Sequence, residues 1–575
     1  LSAEYDYKHE KMLRAFNTLY AEYEIIKNLK FKTTFSYDYT TVKGEKWYDP
    51  RTSNGEDENG EVVKRIREYK KMVWSNTLSY LTTFNNIHHL DFLAGYEIDD
   101  TYNDYLSGEA YNFTTPDKHA ISNGMKTVSV GGSDSRYRLV SYLSRLNYDY
   151  KNKYYLGASF RVDGSSRLHR DNRWGTFWSV SGAWRTIEEE FMQPVKDWLT
   201  DLRIRASYGV NGTLPSDYFG YMGLSSISGG YLEQPGIQMS QIANPNLKWE
   251  TNYNMNIGLD FGFWDRLNFT IEYYTRTTKN LLMDCPVSMT TGFSSYLMNI
   301  GEVKNKGIEL TINSTNIKIK DFSWNTTFNL GHNSNKVIKL DGEQTQIVSG
   351  TQIHKVGSSY RTFYVQEFAG INPETGNPLF YTNELDENGN YIKEITENSK
   401  NAQFIPYKHA EPTVNGGISN SLRYKWLDLN FLFSYQFGGY SYDTWAQKTE
   451  HGGYDSYANI PTYYRDSWKK PGDQTNIEVY MPGKSSSVSM HKITSSRRIH
   501  STDYFRLKNI TFGITLPKEW TNKINIGNVR IYASASNLWT WAAYNNYDPE
   551  AVSAGSATQT TPPLKTVTFG LNINF

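Results

Sequence analysis

Between Tyr253 and Phe263 the chain alternates without a break. Tyr253, Met255, Ile257, Leu259, Phe261 and Phe263 fall on one face, and Asn254, Asn256, Gly258, Asp260 and Gly262 on the other. Period two is the mark of a β-strand with two unlike faces. A strand in an ordinary soluble domain holds such a pattern for roughly 5–6 residues. Here it lasts the ~9–11 residues that a tilted strand needs to cross a bilayer. Trp264–Asp265–Arg266 then reverses the chain. Leu267, Phe269, Ile271 and Tyr273 alternate with Asn268, Thr270, Glu272 and Tyr274, which predicts a hairpin.

The same grammar recurs along the chain. Leu29, Phe31, Phe35, Tyr37 and Tyr39 share a face, as do Tyr154, Leu156, Ala158, Phe160 and Val162. So do Leu202, Ile204, Ala206, Tyr208 and Val210, and Leu427, Leu429, Phe431, Phe433, Tyr435 and Phe437. The opposite faces carry Asn, Asp, Arg and Thr and cannot pack into a dry core, because a buried polar group without a partner costs of the order of 1–3 kcal/mol. The economical solution is a closed barrel, apolar face to lipid and polar face to a wet or plugged lumen. Closure also satisfies every backbone group where water is absent. The expected fold class is all-β, a transmembrane antiparallel β-barrel.

Connections fall into two classes. Short ones are expected at Lys27–Asn28, Asn85–Ile87, Lys151–Lys153, Trp264–Arg266, Ile317–Asp321, Tyr424–Trp426 and Asn522–Asn528. Long ones are expected near 41–63, 101–134, 213–245, 282–296, 337–410, 438–500 and 539–562. Outer-membrane barrels have short periplasmic turns and long extracellular loops. One periplasmic connection, Ile187–Thr200, is longer and suggests a short helix. The pattern predicts about 17 strands. The last must descend to the periplasm, and so must the first, near Met12–Ile25. Complete single-chain barrels have an even number of strands with both ends periplasmic. Residues 1–575 are therefore expected to be part of a barrel, with about five strands upstream if the whole has 22. No signal peptide opens the chain, which fits the same expectation.

The final segment alternates Val567, Phe569, Leu571, Ile573 and Phe575 with polar residues or glycine. An unpaired alternating edge is a template for strand addition. Outer-membrane proteins commonly end in such a strand with a terminal aromatic, read by the barrel-assembly machinery.

Composition narrows the choice. The chain has 45 Tyr, 15 Trp and 27 Phe among 575 residues. Aromatic rings with a polar tip gather at membrane–water interfaces, although a large secreted sugar-binding β-protein would share this content. A mean hydropathy of -0.62 and the lack of an 18-residue apolar run exclude a bundle of transmembrane helices. Sixty basic and sixty acidic residues argue against a nucleic-acid partner. The lone Cys285 excludes an internal disulfide framework. The Asn-x-Ser/Thr triplets at Asn112, Asn268 and Asn325 read as chance in an Asn- and Thr-rich chain.

No catalytic, metal or cofactor site is expected. His-Glu-x-x-His, Cys-x-x-Cys, Walker and dinucleotide signatures are absent from the sequence. His88–His89 reads as a solvated turn pair. Glu56–Glu61 and Asp386–Asn390 resemble calcium loops only faintly and read better as a loop tip and a hairpin turn. The loop over 438–500 stands out instead. It holds Tyr440, Tyr442, Trp445, Tyr454, Tyr457, Tyr463, Tyr464 and Trp468. Aromatic faces stack on sugars and fill interface hot spots, so these residues could touch substrate, touch a partner protein or pack on one another. The same three readings apply to Trp541, Tyr544 and Tyr547.

Several segments resemble SusC-type TonB-dependent transporters of Bacteroidetes. They are Arg161-Val-Asp-Gly-Ser-Ser-Arg167 with Arg173-Trp-Gly-Thr-Phe-Trp178, Leu202–Gly209, Asn244-Pro-Asn-Leu-Lys-Trp-Glu250 and Asn299–Glu309. Tyr504-Phe-Arg-Leu-Lys-Asn509, Ala535–Trp541 and Tyr547-Asp-Pro-Glu550 resemble the family's final barrel motifs. The resemblance runs from about residue 140 to the end. It implies a 22-strand barrel with an N-terminal plug and a TonB box, neither visible here, and a SusD-like lipoprotein lid. It implies active import of oligosaccharides, or oligopeptides in some branches, and allows a dimer of transporter–lid pairs. A structural or adhesive barrel without transport is the alternative. A barrel enzyme such as a protease or lipase is a third reading, but such enzymes are usually smaller and no nucleophile–base constellation stands out.

Overall fold

The computed structural model describes residues 2–574 apart from 232–233, 341–344, 455–458, 483–489, 491–492, 522, 524–525, 553 and 559. Tyr457 and Phe575 lie outside the described residues. Among the described residues the main sheet has seventeen strands, the number the alternation predicts. Among the described residues no helix is long and apolar enough to cross a membrane.

One compact unit comprises Leu1–Trp184, Ser207–Tyr253 and Asn280–Asn299. It contains β1 (Tyr7–Ile26), β2 (Leu29–Tyr48), β3 (Glu61–Phe84), β4 (His88–Phe113), β5 (Gly124–Tyr150), β6 (Tyr154–Ser165) and β7 (Trp174–Trp184). Each pairs antiparallel with the next. The turns fall at 27–28, 85–87 and 151–153 as expected. Asn28, Asn85 and Asn86 occupy positive φ there, at 70°, 52° and 56°, which asparagine tolerates better than most residues.

Register places outward-facing, mostly apolar residues side by side. Phe31, Leu78, Ala94, Ser144, Phe160 and Trp178 form one cross-strand row. These rows are open to the surroundings: Trp74 is 44% exposed and Phe160 50%. A patch of that extent is not tolerated in water and suits lipid. The packed apolar clusters are made of other residues. Trp47, Val62, Ala110 and Phe113 form one where β2, β3 and β4 reach the long-loop side, and Leu168, Phe177, Val210, Leu247 and Trp249 form a second.

Strands here outrun the expected spans. β3, β4 and β5 have 24, 26 and 27 residues. Irregular chain is therefore confined to 49–60 and 114–123, where longer loops over 41–63 and 101–134 are expected. The pairing continues above the apolar zone, but both faces there turn polar and the period-two signal fades.

The second unit comprises Arg185–Ala206, Asn254–Lys279 and Ile300–Phe575. The strands β8 (Leu199–Thr213), β9 (Glu250–Phe263), β10 (Leu267–Pro286) and β11 (Ser295–Ile319) contribute to both units. β12 (Phe322–Leu340), β13 (Val414–Tyr424), β14 (Leu427–Phe437), β15 (Tyr504–Thr515), β16 (Asn528–Ala542) and β17 (Thr566–Asn574) follow. From β11 onward each pairs antiparallel with the next. Burial in β9 is inverted relative to a soluble strand: Ile257 and Leu259 are exposed, and Gly258, Asp260 and Gly262 are buried. Arg205 explains the polar face. It donates to Asp260 at 3.1 Å and to Glu272, while Thr270 donates to Asp260 at 2.9 Å and Asn256 to Glu272 at 3.0 Å.

Glycines on this face have a packing reason. The Arg205 side chain crosses Gly258, where a Cβ would meet its Nε at 2.8 Å. Tyr435 crosses Gly416 in the same way and donates to the Asn329 carbonyl at 2.8 Å.

The long connections of this unit carry structure of their own. Gln346–Ser349, Gln352–Lys355, Thr362–Gln366 and Phe404–His409 form a four-stranded sheet. Phe368–Ile371, Pro378–Tyr381 and Ile395–Thr396 form another. The helix expected over Ile187–Thr200 consists of two 3-10 segments, Thr186–Glu188 and Glu190–Val195, with Pro194 inside the second. Proline removes an amide donor and blocks an α-helical continuation. The start of the loop expected at 539–562 is also trimmed, because β16 runs to Ala542. In β17, Val567, Phe569, Leu571 and Ile573 pair with Ala535, Ala533, Ile531 and Val529.

A Cβ on Gly416 would lie 2.5 Å from the Tyr435 hydroxyl oxygen and close to the Asn329 carbonyl. Gly416→Val is expected to destabilise the wall by about 1–3 kcal/mol through overpacking. Gly182→Ala meets nothing nearer than 3.7 Å and should change stability by less than about 0.5 kcal/mol. Urea midpoints of the heat-modifiable folded band compare the two.

Candidate functional site

The loop aromatics gather around one short strand. Tyr440–Asp443 pairs antiparallel with Ile499–Ser501 and parallel with Ser556–Ala557, which ties together loops that lie far apart in sequence. Asp443 ends this strand and caps the short helix Thr444–Thr449 by accepting from the Ala446 amide at 2.8 Å. A side-chain acceptor at the N-cap satisfies an orphan helical N–H. The Tyr544 hydroxyl donates to the other carboxylate oxygen at 2.9 Å.

Beside Asp443 opens a cleft of about 410 Å³. Trp445, Tyr547, Asn545, Asn546, Asp548, Thr540, Thr558 and Thr560 line it. Its chemistry is an indole face with amide, hydroxyl and carboxylate groups around it.

The cleft floor rests on a salt-bridge clamp. Arg506 is 2% exposed. It donates to Asp548 at 2.5 Å, to the Thr540 hydroxyl at 2.9 Å and to Glu550. Lys508 donates to Glu550 at 2.7 Å and the Tyr504 hydroxyl donates to it at 3.2 Å. Tyr504, Arg506 and Lys508 are alternate residues of β15, so one strand face delivers all three to the same carboxylate. Two motifs read separately in the sequence, Tyr504–Asn509 and Tyr547–Glu550, are thus partners.

The structure distributes the candidate aromatics unevenly. Tyr442 and Tyr464 are buried, at 1% and 5% exposure. Tyr463 donates to Glu450, which also pairs with buried Arg498. Trp468 donates its indole N–H to the Pro373 carbonyl at 2.8 Å. Tyr440 is half-buried in the short strand. Tyr547 exchanges a hydrogen bond with Ser441, and Tyr544 stacks on His500 with ring centroids 3.7 Å apart. Trp445, Tyr454 and Trp541 keep exposed faces. Of these, Trp445 lines the cleft. Trp541 does not, since its strand neighbours Thr540 and Ala542 are the ones that face it.

Burial raises the Tyr544 and Tyr464 hydroxyls above their ordinary range and pushes Tyr547 up to about 12. These phenols stay protonated, and Tyr544 donates to Asp443. Burial pushes His500 down to about 4, against the pull of Asp443. Sequence reasoning missed Arg506, Lys508, Arg498 and Glu450. The available signal was charge on the inward face of a strand and in an aromatic loop, but nothing in it names the partner.

A second polar cleft, of about 460 Å³, is lined by Asn254, Asn256, Tyr274, Arg276, Asn305 and Asn333. Among the described residues no group of three or more His, Cys, Asp or Glu could hold a metal. Asp386 instead accepts the backbone amides of Asn388 and Asn390 at 2.9 and 2.8 Å, the geometry of a tight turn.

Two measurements check this site. Removing one partner of a buried ion pair typically costs about 3–5 kcal/mol. Arg506→Met should therefore loosen residues 543–558, seen as faster amide exchange there while β1–β7 exchange as before. For pH, the folded loop holds His500 neutral down to about 4, whereas an unfolded histidine protonates near 6.5. The open loop then binds the extra proton, so the stability of the closed loop is full above about pH 6.5 and falls as the pH drops towards 4. Proteolysis of the 438–501 loop should quicken between pH 7 and pH 5, and His500→Gln should flatten that part of the dependence.

Comparison with known proteins gives consistent matches. Residues 2–384 match the family model described as TonB dependent receptor-like, beta-barrel. The chain is 32% identical to TonB-dependent receptor P3 of Formosa agariphila, over 97% of this chain and 57% of that protein. It is 29% identical to TonB-dependent receptor SusC of Bacteroides thetaiotaomicron, over 90% of this chain and 51% of that protein. In structure it is similar to a chain of the RagAB peptide transporter, with a TM-score of 0.89 and 26% identity, covering 100% of this chain and 63% of that one. The chain spans just over half the length of these curated relatives.

Proposed function

The chain belongs to the TonB-dependent receptor-like β-barrel family of the outer membrane, and we propose that it forms the wall of an active importer of oligomeric nutrients, glycans ahead of oligopeptides. In this reading ligand is captured between the long loops and a SusD-like lid lipoprotein. A plug elsewhere in the protein is displaced when TonB pulls on it. The wall contributes loops and a polar lumen rather than chemistry. The relatives it matches carry the names of receptors and of a transporter, which favours transport over catalysis.

The observation that carries the substrate reading is the cleft beside Trp445. An indole face accepts the C–H face of a sugar ring, and Asn545, Asn546, Thr540, Thr558 and Thr560 offer neutral hydrogen-bonding groups around it. The buried cation of the cleft, Arg506, is already committed to Asp548 and Glu550. It is poorly placed to bind a peptide carboxylate. The likeness to a peptide transporter keeps oligopeptides as a second reading.

A deletion strain tests the function. Growth should fail on at least one oligomeric glycan and persist on its monomer. Complementation with Trp445→Ala should raise the oligomer concentration needed for half-maximal growth roughly tenfold, the size of a lost aromatic anchor. Growth unaffected on every oligosaccharide and oligopeptide would overturn the importer reading in favour of an adhesive or structural barrel.

A further inference from the structure

The strands β3, β4 and β5 keep pairing beyond the apolar zone, and there their inward face carries a cleft of its own. On β4 the exposed row that contains Phe92 takes the even positions and turns from Ile98 to Asp100 and Tyr102. Asn103 and Tyr105 fall on the opposite, inward face. Their cross-strand neighbours share it. Arg67, Tyr105 and Ser133 form one row, and Asn103 and Ser135 belong to the next. Residues 216–219 of a following loop line the same cleft, which has a volume of about 390 Å³. It belongs to the first unit, whereas the cleft beside Trp445 belongs to the second.

The loop wall of this cleft is anchored. Arg167 lies 4.0 and 4.3 Å from the ring centroids of Tyr137 and Tyr218 and donates to the Pro215 carbonyl at 3.0 Å. A guanidinium over an aromatic face is attracted by the ring quadrupole. Asn103 donates to the Tyr218 hydroxyl at 3.3 Å, and Asp217 accepts the Phe219 amide at 3.0 Å with one oxygen. The strand wall is uncommitted. The Arg67 guanidinium lies 5.4 Å from the Tyr105 ring centroid and makes no hydrogen bond or ion pair among the described residues. The hydroxyls of Ser133 and Ser135 have no partner there either. Other cations on this inward face are paired: Lys71 with Asp99 at 2.7 Å and Arg14 with Asp38 at 2.6 Å. Arg67 is thus a free donor fork held at the edge of an aromatic cleft.

Charge narrows what this cleft can hold. Against the one cation, Arg67, stand two carboxylates, Asp104 and Asp217. A cleft with that balance does not attract phosphate, sulfate or uronate groups. It offers N–H donors, hydroxyls and a carboxylate oxygen beside two phenol rings. A sugar ring matches that set, because its hydroxyls both donate and accept and its C–H face packs on an aromatic ring. We propose that the cleft between Arg67 and Asp217 is a second sugar subsite, taking one uncharged pyranose ring. Arg67 donates its planar fork to two neighbouring hydroxyls, Asp217 accepts from another, and Tyr105 and Tyr218 take the C–H face. The choice of a sugar rests on the glycan-import reading.

The test uses the purified full-length protein in detergent and saturation-transfer NMR with small probes. A Trp445→Ala background removes the aromatic platform of the other cleft. In it, at least one of the methyl pyranosides of glucose, galactose, mannose and xylose should receive saturation. Adding Arg67→Gln should weaken that binding roughly tenfold, as expected for lost charge-assisted hydrogen bonds. Adding Lys151→Gln, in the tight turn at 151–153, should change nothing. Methyl glucuronide, glucose 6-sulfate and trialanine should each receive less saturation than the best neutral pyranoside. Silence from all four neutral probes, or stronger saturation of a charged probe or trialanine, would overturn the proposal, and neither comparison depends on the Arg67 variant folding. Unchanged affinity in Arg67→Gln with a normal heat-modifiable band would also overturn it. Growth of the deletion strain decides the import reading separately. Sugar binding here with growth unaffected on every oligomer would keep the subsite and remove the importer, and failed growth with silent probes would do the reverse.

Discussion

Backbone hydrogen bonding in lipid is the constraint on which the rest of this structure depends. A strand inside a bilayer has no water to satisfy its N–H and C=O groups, so each must pair with a neighbour along its whole length. The registers of β1 to β7, and of β11 to β17, are the answer. Pairing along a pleated ladder leaves each strand two faces and sends successive side chains to opposite sides. Apolar rows then face lipid and polar rows face inward, inverting the arrangement of a soluble domain.

That inversion moves the work of packing elsewhere. Apolar clusters form at loops and strand ends, around Trp47 and Val62, around Leu247 and Trp249, and around Phe363 and Tyr442. The polar face must satisfy its own charges, and it does so with cross-strand networks such as Arg205, Asp260 and Glu272. Glycines such as Gly258 and Gly416 let these long side chains lie flat against the next strand. At the long-loop side the same device becomes the clamp of Arg506 and Lys508 on Asp548 and Glu550. A rigid support there gives the aromatic cleft a fixed shape, as a recognition surface requires.

The fold was legible in the sequence wherever one face had to be apolar. Ile257 and Leu259 alternate with Gly258 and Asp260 because lipid demands it, and the strand count follows from such stretches. Legibility ended where the demand ended. Residues 101–113 and 124–134 continue as strands, yet both of their faces meet polar surroundings, so periodicity no longer marks them. The site was legible only in composition. Nothing local distinguishes Tyr442, buried in a loop core, from Trp445, open to a cleft three residues later. Arg506 and Glu550 each belonged to a recognisable motif, but their pairing spans 44 residues and depends on two loops meeting in space.

Odd and even positions of one continuous strand see two different media, with a sharp upper boundary. Single cysteines from Phe92 to Tyr102, in a Cys285→Ser background, would be spin-labelled in native outer membranes. Collision with lipid-soluble oxygen and with a water-soluble nickel complex would be measured at each. Phe92, Ala94, Tyr96 and Ile98 should favour oxygen, Leu93, Gly95, Glu97 and Asp99 should favour nickel, and the oxygen preference should end at Asp100. Equal nickel access at every position, with no period of two, would contradict the account.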